Sequence, residues 1–194
     1  MSELRVHDFM SRSRANGPGL RAVIWLQGCS LSCPGCFNSE AQTHDEGTLV
    51  SVDQLFERLA AAKSAGIEGL TVSGGEPMEQ AGPLRELLER VGQASGLSVI
   101  LFTGYTWQEV AASAEMAAVL PLVDVLIAGR YDLAEHLAQG LRGSANKTTN
   151  FLSERYAQAD LDAVPPAEVT IGLDGNVILS GIDPVRQSWS CPLP

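Results

Sequence analysis

An α/β fold of parallel strands ending in a β-hairpin is the architecture this sequence predicts, on three observations. Short apolar, β-branched runs alternate with amphipathic helical stretches between residues 21 and 127, the rhythm of βα units that build a parallel sheet. The suspicious loops along this stretch each follow a strand, where a parallel sheet gathers its ligands. Past Arg130 the rhythm stops, and residues 169–179 carry two apolar runs around Asp174-Gly175, the turn chemistry of a hairpin.

Arg21-Ala-Val-Ile-Trp-Leu26 is apolar, β-branched and aromatic and runs into Gly28, which suits a buried strand entering a loop. Ser51-Val-Asp-Gln54 is a capping-box pattern, with Val52, Leu55, Phe56 and Leu59 at helical spacing and Gly66 as a stop. A strand is expected over 67–73. A helix with Leu84, Leu87, Leu88 and Val91 on one face follows, Pro83 fitting its first turn. Residues 97–102 read as the next strand. Thr106-Trp-Gln-Glu109 opens a further helix, and 122–127 form another apolar strand. A short helix is expected over 133–139, then an irregular Gly/Ser/Asn/Thr stretch. Residues 1–185 are expected to form a single domain, with 186–194 as a flexible tail.

The 194 residues, 45% hydrophobic and 19% charged, suffice for one domain with a substantial core. No apolar run approaches the roughly 18 residues of a membrane span, and residues 1–17 are polar where a signal peptide needs an apolar segment. A cytoplasmic location without a membrane partner is the expectation. The net charge of −10 argues against a nucleic-acid partner, which calls for a basic stripe.

Three of the four cysteines lie within eight residues, in Cys29-Ser-Leu-Ser-Cys33-Pro-Gly-Cys36, a spacing that suits metal or redox chemistry better than a disulfide framework. Iron–sulfur clusters are held by such thiolates, normally four. A structural zinc would need a fourth ligand to close its site, for which His44 is the nearest candidate. An open iron could instead bind a substrate or cofactor directly. Cys191 stands far off, as a free thiol or as a fourth ligand that would close such an iron. His7 and His136 are given no special role.

The C-x3-C-x2-C spacing, with Ser73-Gly-Gly-Glu-Pro77 after the second strand of the alternation, resembles the radical-SAM superfamily. Closer still is the resemblance to glycyl-radical-enzyme activating proteins, especially those of anaerobic ribonucleotide reductase. It is carried by Asn16-Gly-Pro-Gly-Leu-Arg21, Trp25-Leu-Gln-Gly-Cys29, Cys33-Pro-Gly-Cys36-Phe-Asn38, Thr103-Gly-Tyr-Thr-Trp107, Asp124-Val-Leu-Ile127 and Arg142-Gly-Ser-Ala-Asn146, in that order. Two departures are Ala128, where an aspartate is usual, and Lys147, where a glutamine is.

The resemblance implies a [4Fe-4S] cluster on Cys29, Cys33 and Cys36, with S-adenosyl-L-methionine (SAM) as second cofactor. It assigns cofactor contacts to Gly35, Phe37, Gly74, Gly75, Glu76, Thr103, Tyr105 and Arg130. Two glycines let the backbone approach a ligand, and Glu76 could pair with the methionyl ammonium. Arg130 stands near a family lysine and reads as a carboxylate clamp or as a surface arginine. Tyr105 reads as a ribose contact or as core filling. The implied activity is that of an oxidoreductase: the reduced cluster cleaves SAM to methionine and a 5′-deoxyadenosyl radical, which abstracts hydrogen from a glycine of a partner enzyme. No side chain need act as acid or base. A chain this short would build only a partial (open) TIM-like β/α barrel, leaving a lateral opening for a partner's loop. An electron donor such as flavodoxin or ferredoxin is implied. Competing readings are radical modification of a peptide or small metabolite, and a non-catalytic iron–sulfur electron carrier or zinc module.

Overall fold

The computed structural model describes residues 2–172 and 175–182. Its centre is a seven-stranded sheet formed by β1 (Glu3–Ser13), β2 (Arg21–Leu26), β3 (Thr48–Ser51), β4 (Gly69–Gly74), β5 (Ser98–Thr103), β6 (Val125–Ala128) and, further along the chain, Thr148–Phe151. The strand order is β3-β1-β2-β4-β5-β6 and then Thr148–Phe151. β2, β4, β5 and β6 run parallel, while β1 and β3 on one side and Thr148–Phe151 on the other are antiparallel to their neighbours. The parallel strands are buried almost end to end, as strands covered on both faces must be.

The first helix, α1 (Val52–Ser64), begins at the Ser51/Gln54 capping box, with both reciprocal bonds formed, and stops before Gly66, whose φ of +96° terminates the turn. α2 (Ala81–Ala94) holds Pro83 in its first turn and buries Leu84, Leu87, Leu88 and Val91. Both pack on one face of the sheet, against Leu4, Ile24, Leu70, Val72, Leu101 and Leu126. Next come α3 (Trp107–Ala112), capped by Thr106 and Glu109, and α4 (Ala114–Ala117). Side chains alternate across a strand, so Trp25, Ser73 and Phe102 point to the opposite face.

Residues 133–139, expected as one helix, are instead a 3-10 turn over Leu133–Glu135 followed by β7 (His136–Gln139), paired with β8 (Arg142–Ser144). The composition favours a helix, but Gly140 at φ +57° and Leu141 at φ +64° reverse the chain at once, before a helix could repay its nucleation. β9 (Thr148–Phe151) then completes the central sheet, and the short α5 (Gln158–Asp162) buries Leu161 under the second face. Strand 1 is an element the sequence reading missed. Its alternation is visible in hindsight, with Leu4 and Val6 buried between polar neighbours.

The hairpin forms as expected from β10 (Ala167–Ile171) and β11 (Val177–Gly181) in full register. Asn16 Nδ2 donates to Ser180 Oγ at 2.5 Å and fastens it to the body. The expected tail at 186–194, Cys191 and Asp174 lie outside the described residues. No helix among the described residues is long and apolar enough to cross a membrane.

Candidate active site

The cysteine loop leaves β2 at its carboxyl end. Cys36 N–H donates to Cys33 O at 3.2 Å, closing a turn with Pro34 and Gly35 at its corners, and Gly35 takes φ +71°, the conformation a type II turn requires. This turn is the reason for Pro-Gly between two cysteines: it sets Cys33 and Cys36 on one short bend. The loop is stapled to its surroundings by backbone bonds. Gly28 and Cys29 N–H groups donate to Ala41 and Gln42 carbonyls, and Glu76 N–H donates to Gly28 O. Gln27 Nε2 reaches the carbonyls of Glu40 and Thr43, and Asn38 Nδ2 donates to Gly74 O at 3.1 Å.

Gly74 and Gly75 are where they are because another segment of the chain lies against them. A Cβ on Gly74 would fall 2.3 Å from the backbone nitrogen of Leu26, and one on Gly75 2.2 Å from Gly28 O. These glycines were expected to let a ligand approach closely. Here they first of all let the Gly-Gly-Glu loop lie backbone to backbone on the cysteine loop.

Glu76 is 1% exposed. Its Oε1 accepts from Met78 N–H at 2.9 Å and the Thr103 hydroxyl at 2.7 Å, and its Oε2 accepts from Gly104 N–H at 2.6 Å. Burial outweighs these bonds and pushes its carboxyl up to about 7. Among the described residues it has no salt-bridge partner. The three free thiols, Gly74, Gly75, Glu76, Thr103 and Phe37 all line one cavity on the second face of the sheet, at the carboxyl ends of β2, β4 and β5. Burial also pushes the Cys29 thiol up.

Three of the expected residues do not reach this cavity lining. Gly35 serves the turn. Tyr105 sits beyond Thr103, under the Arg130 guanidinium, 5.8 Å from its ring centre. Arg130 makes a two-pronged pair with Glu109, at 2.7 and 2.9 Å, and holds that carboxyl down to about 2. His44 does not approach the thiols as a fourth ligand. Its Nε2 lies 3.0 Å from Glu79 Oε2, and the same carboxylate accepts from Ser30 N–H at 2.8 Å. Among the described residues no three His, Cys, Asp or Glu side chains stand together as the ligands of a single metal ion.

Other residues reach the cavity without having been assigned to it. Tyr131, packed at a tilt against Phe37 at 4.7 Å between centroids, lines it, as do Gly181 and Ile182 from the end of the hairpin. Lys147 lines it too. It stood out in the sequence only as a departure from a family pattern. Its Nζ donates to Gly129 O, and burial pushes its ammonium down, opposed by Cys33, Glu76 and Cys36.

The family model described as "4Fe-4S single cluster domain" matches residues 15–150. The anaerobic ribonucleoside-triphosphate reductase-activating protein of Vibrio cholerae is 32% identical over 151 residues, spanning 74% of this chain and 96% of that protein. The chain belongs to this family of activating proteins. The Salmonella typhimurium activating protein is 28% identical over 77% of this chain and 99% of its own length, and that of Enterobacteria phage T4 is 29% identical over 68% and 84%. Among solved structures, QueE from Escherichia coli is similar at a TM-score of 0.43 and 17% identity over 54% of each chain, too slight a likeness to bear on the site.

The cavity of this activating protein suits an iron–sulfur cluster by its donor set. Three free thiols share it, and thiolates are the usual ligands of such clusters. Beside them lies the buried Glu76 carboxylate, which has no salt-bridge partner among the described residues and fits the ammonium of an amino acid.

Proposed function

We propose that this chain is a radical-SAM activating enzyme, holding a [4Fe-4S] cluster on Cys29, Cys33 and Cys36 with SAM beside it, and installing a glycyl radical on a partner. The partner is of the anaerobic ribonucleoside-triphosphate reductase class that the relatives' name specifies. The observation that carries this reading is one cavity shared by three free thiols and the buried Glu76, in a chain of this family. When bound, the cluster and SAM supply a one-electron cleavage that yields methionine and a 5′-deoxyadenosyl radical, the species that takes a hydrogen from glycine.

The protein's part is to hold these groups in place. The Cys33–Cys36 turn fixes two ligands on a short arc. Glu76, kept in place by Thr103 and Gly104, takes the methionyl ammonium, with Gly74 and Gly75 shaping the wall beside it. Phe37 and Tyr131, packed against each other, form an aromatic wall of the cavity. Gly35 sets the loop, and Tyr105 with Arg130 forms an outer rim. The described residues belong to a single domain, an open TIM-like β/α barrel whose lateral gap admits a loop of the partner. The reaction takes place in the cytoplasm and draws its electron from a donor such as flavodoxin or ferredoxin.

The test is anaerobic reconstitution with iron and sulfide, reduction by dithionite with SAM, and assay of 5′-deoxyadenosine. The expected result is product that disappears in Cys33→Ala, and a glycyl-radical resonance when an anaerobic ribonucleotide reductase is added. A reconstituted cluster that yields no 5′-deoxyadenosine overturns the reading. Unchanged iron content in Cys29→Ala overturns the ligand assignment.

A further inference from the structure

Two cations stand near the cysteine loop, and the structure treats them differently. Arg130 follows β6 by two residues, where it could serve as a carboxylate clamp. Both its terminal nitrogens are engaged by Glu109, and Nη1 also reaches Gly104 O at 3.4 Å. Glu109 in turn caps α3, accepting from Thr106 N–H at 2.7 Å, so the pair is anchored to a helix start and Arg130 lies outside the cavity lining.

Lys147 comes from the turn between β8 and β9. Its backbone N–H donates to Ser144 O at 3.3 Å, and its stem lies along Gly129, where an added Cβ would meet Lys147 Cα at 3.4 Å. The side chain thus passes over the end of β6 into the cavity. Among the described lining residues it is the one cationic side chain, and Glu76 is the one carboxylate. An ammonium has three donors, and Gly129 O uses one of them. A wall bearing one carboxylate and one ammonium is complementary to an amino acid zwitterion, whose ammonium would meet the first and whose carboxylate the second.

We propose that Lys147, and not Arg130, binds the carboxylate of the cofactor's methionyl end, while Glu76 takes the ammonium of the same group. This rests on the SAM reading above and deepens it by assigning the second half of the zwitterion. Lys147 thus supplies the cavity with a charge that Arg130, held by Glu109, does not deliver.

The experiment compares SAM with its decarboxylated analogue. Anaerobically reconstituted, unreduced protein is titrated with each by equilibrium dialysis, after iron content and visible absorption have been matched between variants. Wild type should prefer SAM by roughly ten- to hundredfold, the range of one charge-assisted contact. In Lys147→Met and Lys147→Gln that preference should collapse towards unity, through weaker SAM binding with affinity for the analogue retained. Arg130→Met should keep the wild-type ratio. A preference that survives both Lys147 substitutions, or one lost in Arg130→Met, overturns the assignment. Wild-type protein that loads a cluster yet binds neither compound overturns the SAM reading itself.

Discussion

Arg21 and Glu76 serve the same side of the central sheet, Arg21 at the amino ends of the parallel strands and Glu76 beyond their carboxyl ends. Both are almost wholly buried, at 0% and 1% exposure, and neither has a salt-bridge partner among the described residues. The two ends handle the charge differently. Arg21 is sealed in: it donates to Thr71 Oγ1, Ser98 Oγ, the Tyr156 hydroxyl and the carbonyls of Pro18, Leu70 and Ser98. Gly69 and Gly17 make room for it, since a Cβ on either would fall 2.2 Å from Nη1 or 2.7 Å from Cδ. Glu76 is also bonded, by three donors, but it lines a cavity. One end of the sheet is a polar plug that holds strands together. The other is left open, at the end where βα loops converge on a ligand.

The largest effect should follow from removing the plug. Arg21→Met leaves several buried acceptors unpaired, and denaturant unfolding should report a loss of about 3 kcal/mol or more. A loss below about 1 kcal/mol would mean that the amino ends are held by something other than this network. At the open end the effect should appear as a pH dependence. Burial pushes the Glu76 carboxyl up to about 7 in the folded protein from its ordinary 4.5, so folding favours its protonated form. Stability should be fully present below pH 4.5 and fall as pH rises through about 7, by at most about 3 kcal/mol in the cofactor-free protein. Glu76→Gln should flatten that slope, and an unchanged slope would locate the titration elsewhere.

Gly75→Ala tests the contact of the two site loops. A Cβ pressed onto Gly28 O should cost about 1–3 kcal/mol and lower the iron retained after reconstitution. Iron loading equal to wild type would show that the loops can part without harm. The smallest effect is expected from Arg130→Met, which breaks an exposed pair with Glu109 and should leave the unfolding midpoint unchanged within error.

Much of the site was legible because its signals are local. The capping boxes at Ser51 and Thr106 and the hairpin around Gly175 each depend on neighbours a few residues away, and each formed as expected, whereas Gly35, expected against the cofactor, serves the Cys33–Cys36 turn. Residues 133–139 were misread for the complementary reason: their helical composition yields to the reversal at Gly140 and to pairing with β8. Strand 1 was passed over because a half-polar alternation gains its meaning only from β2 and β3 on either side.

The sequence by itself determined which groups could be gathered, since three cysteines on one loop and a Gly-Gly-Glu turn are contiguous motifs at strand ends, and both reach one cavity. Tertiary structure alone decided which charge faces the cavity. The sequence offered Arg130 as the clamp and Lys147 only as a departure, but Glu109 is 21 residues from the first and Gly129 is 18 from the second. A side chain's partner across such separations is set by how strands and loops are brought together, which no short-range pattern encodes.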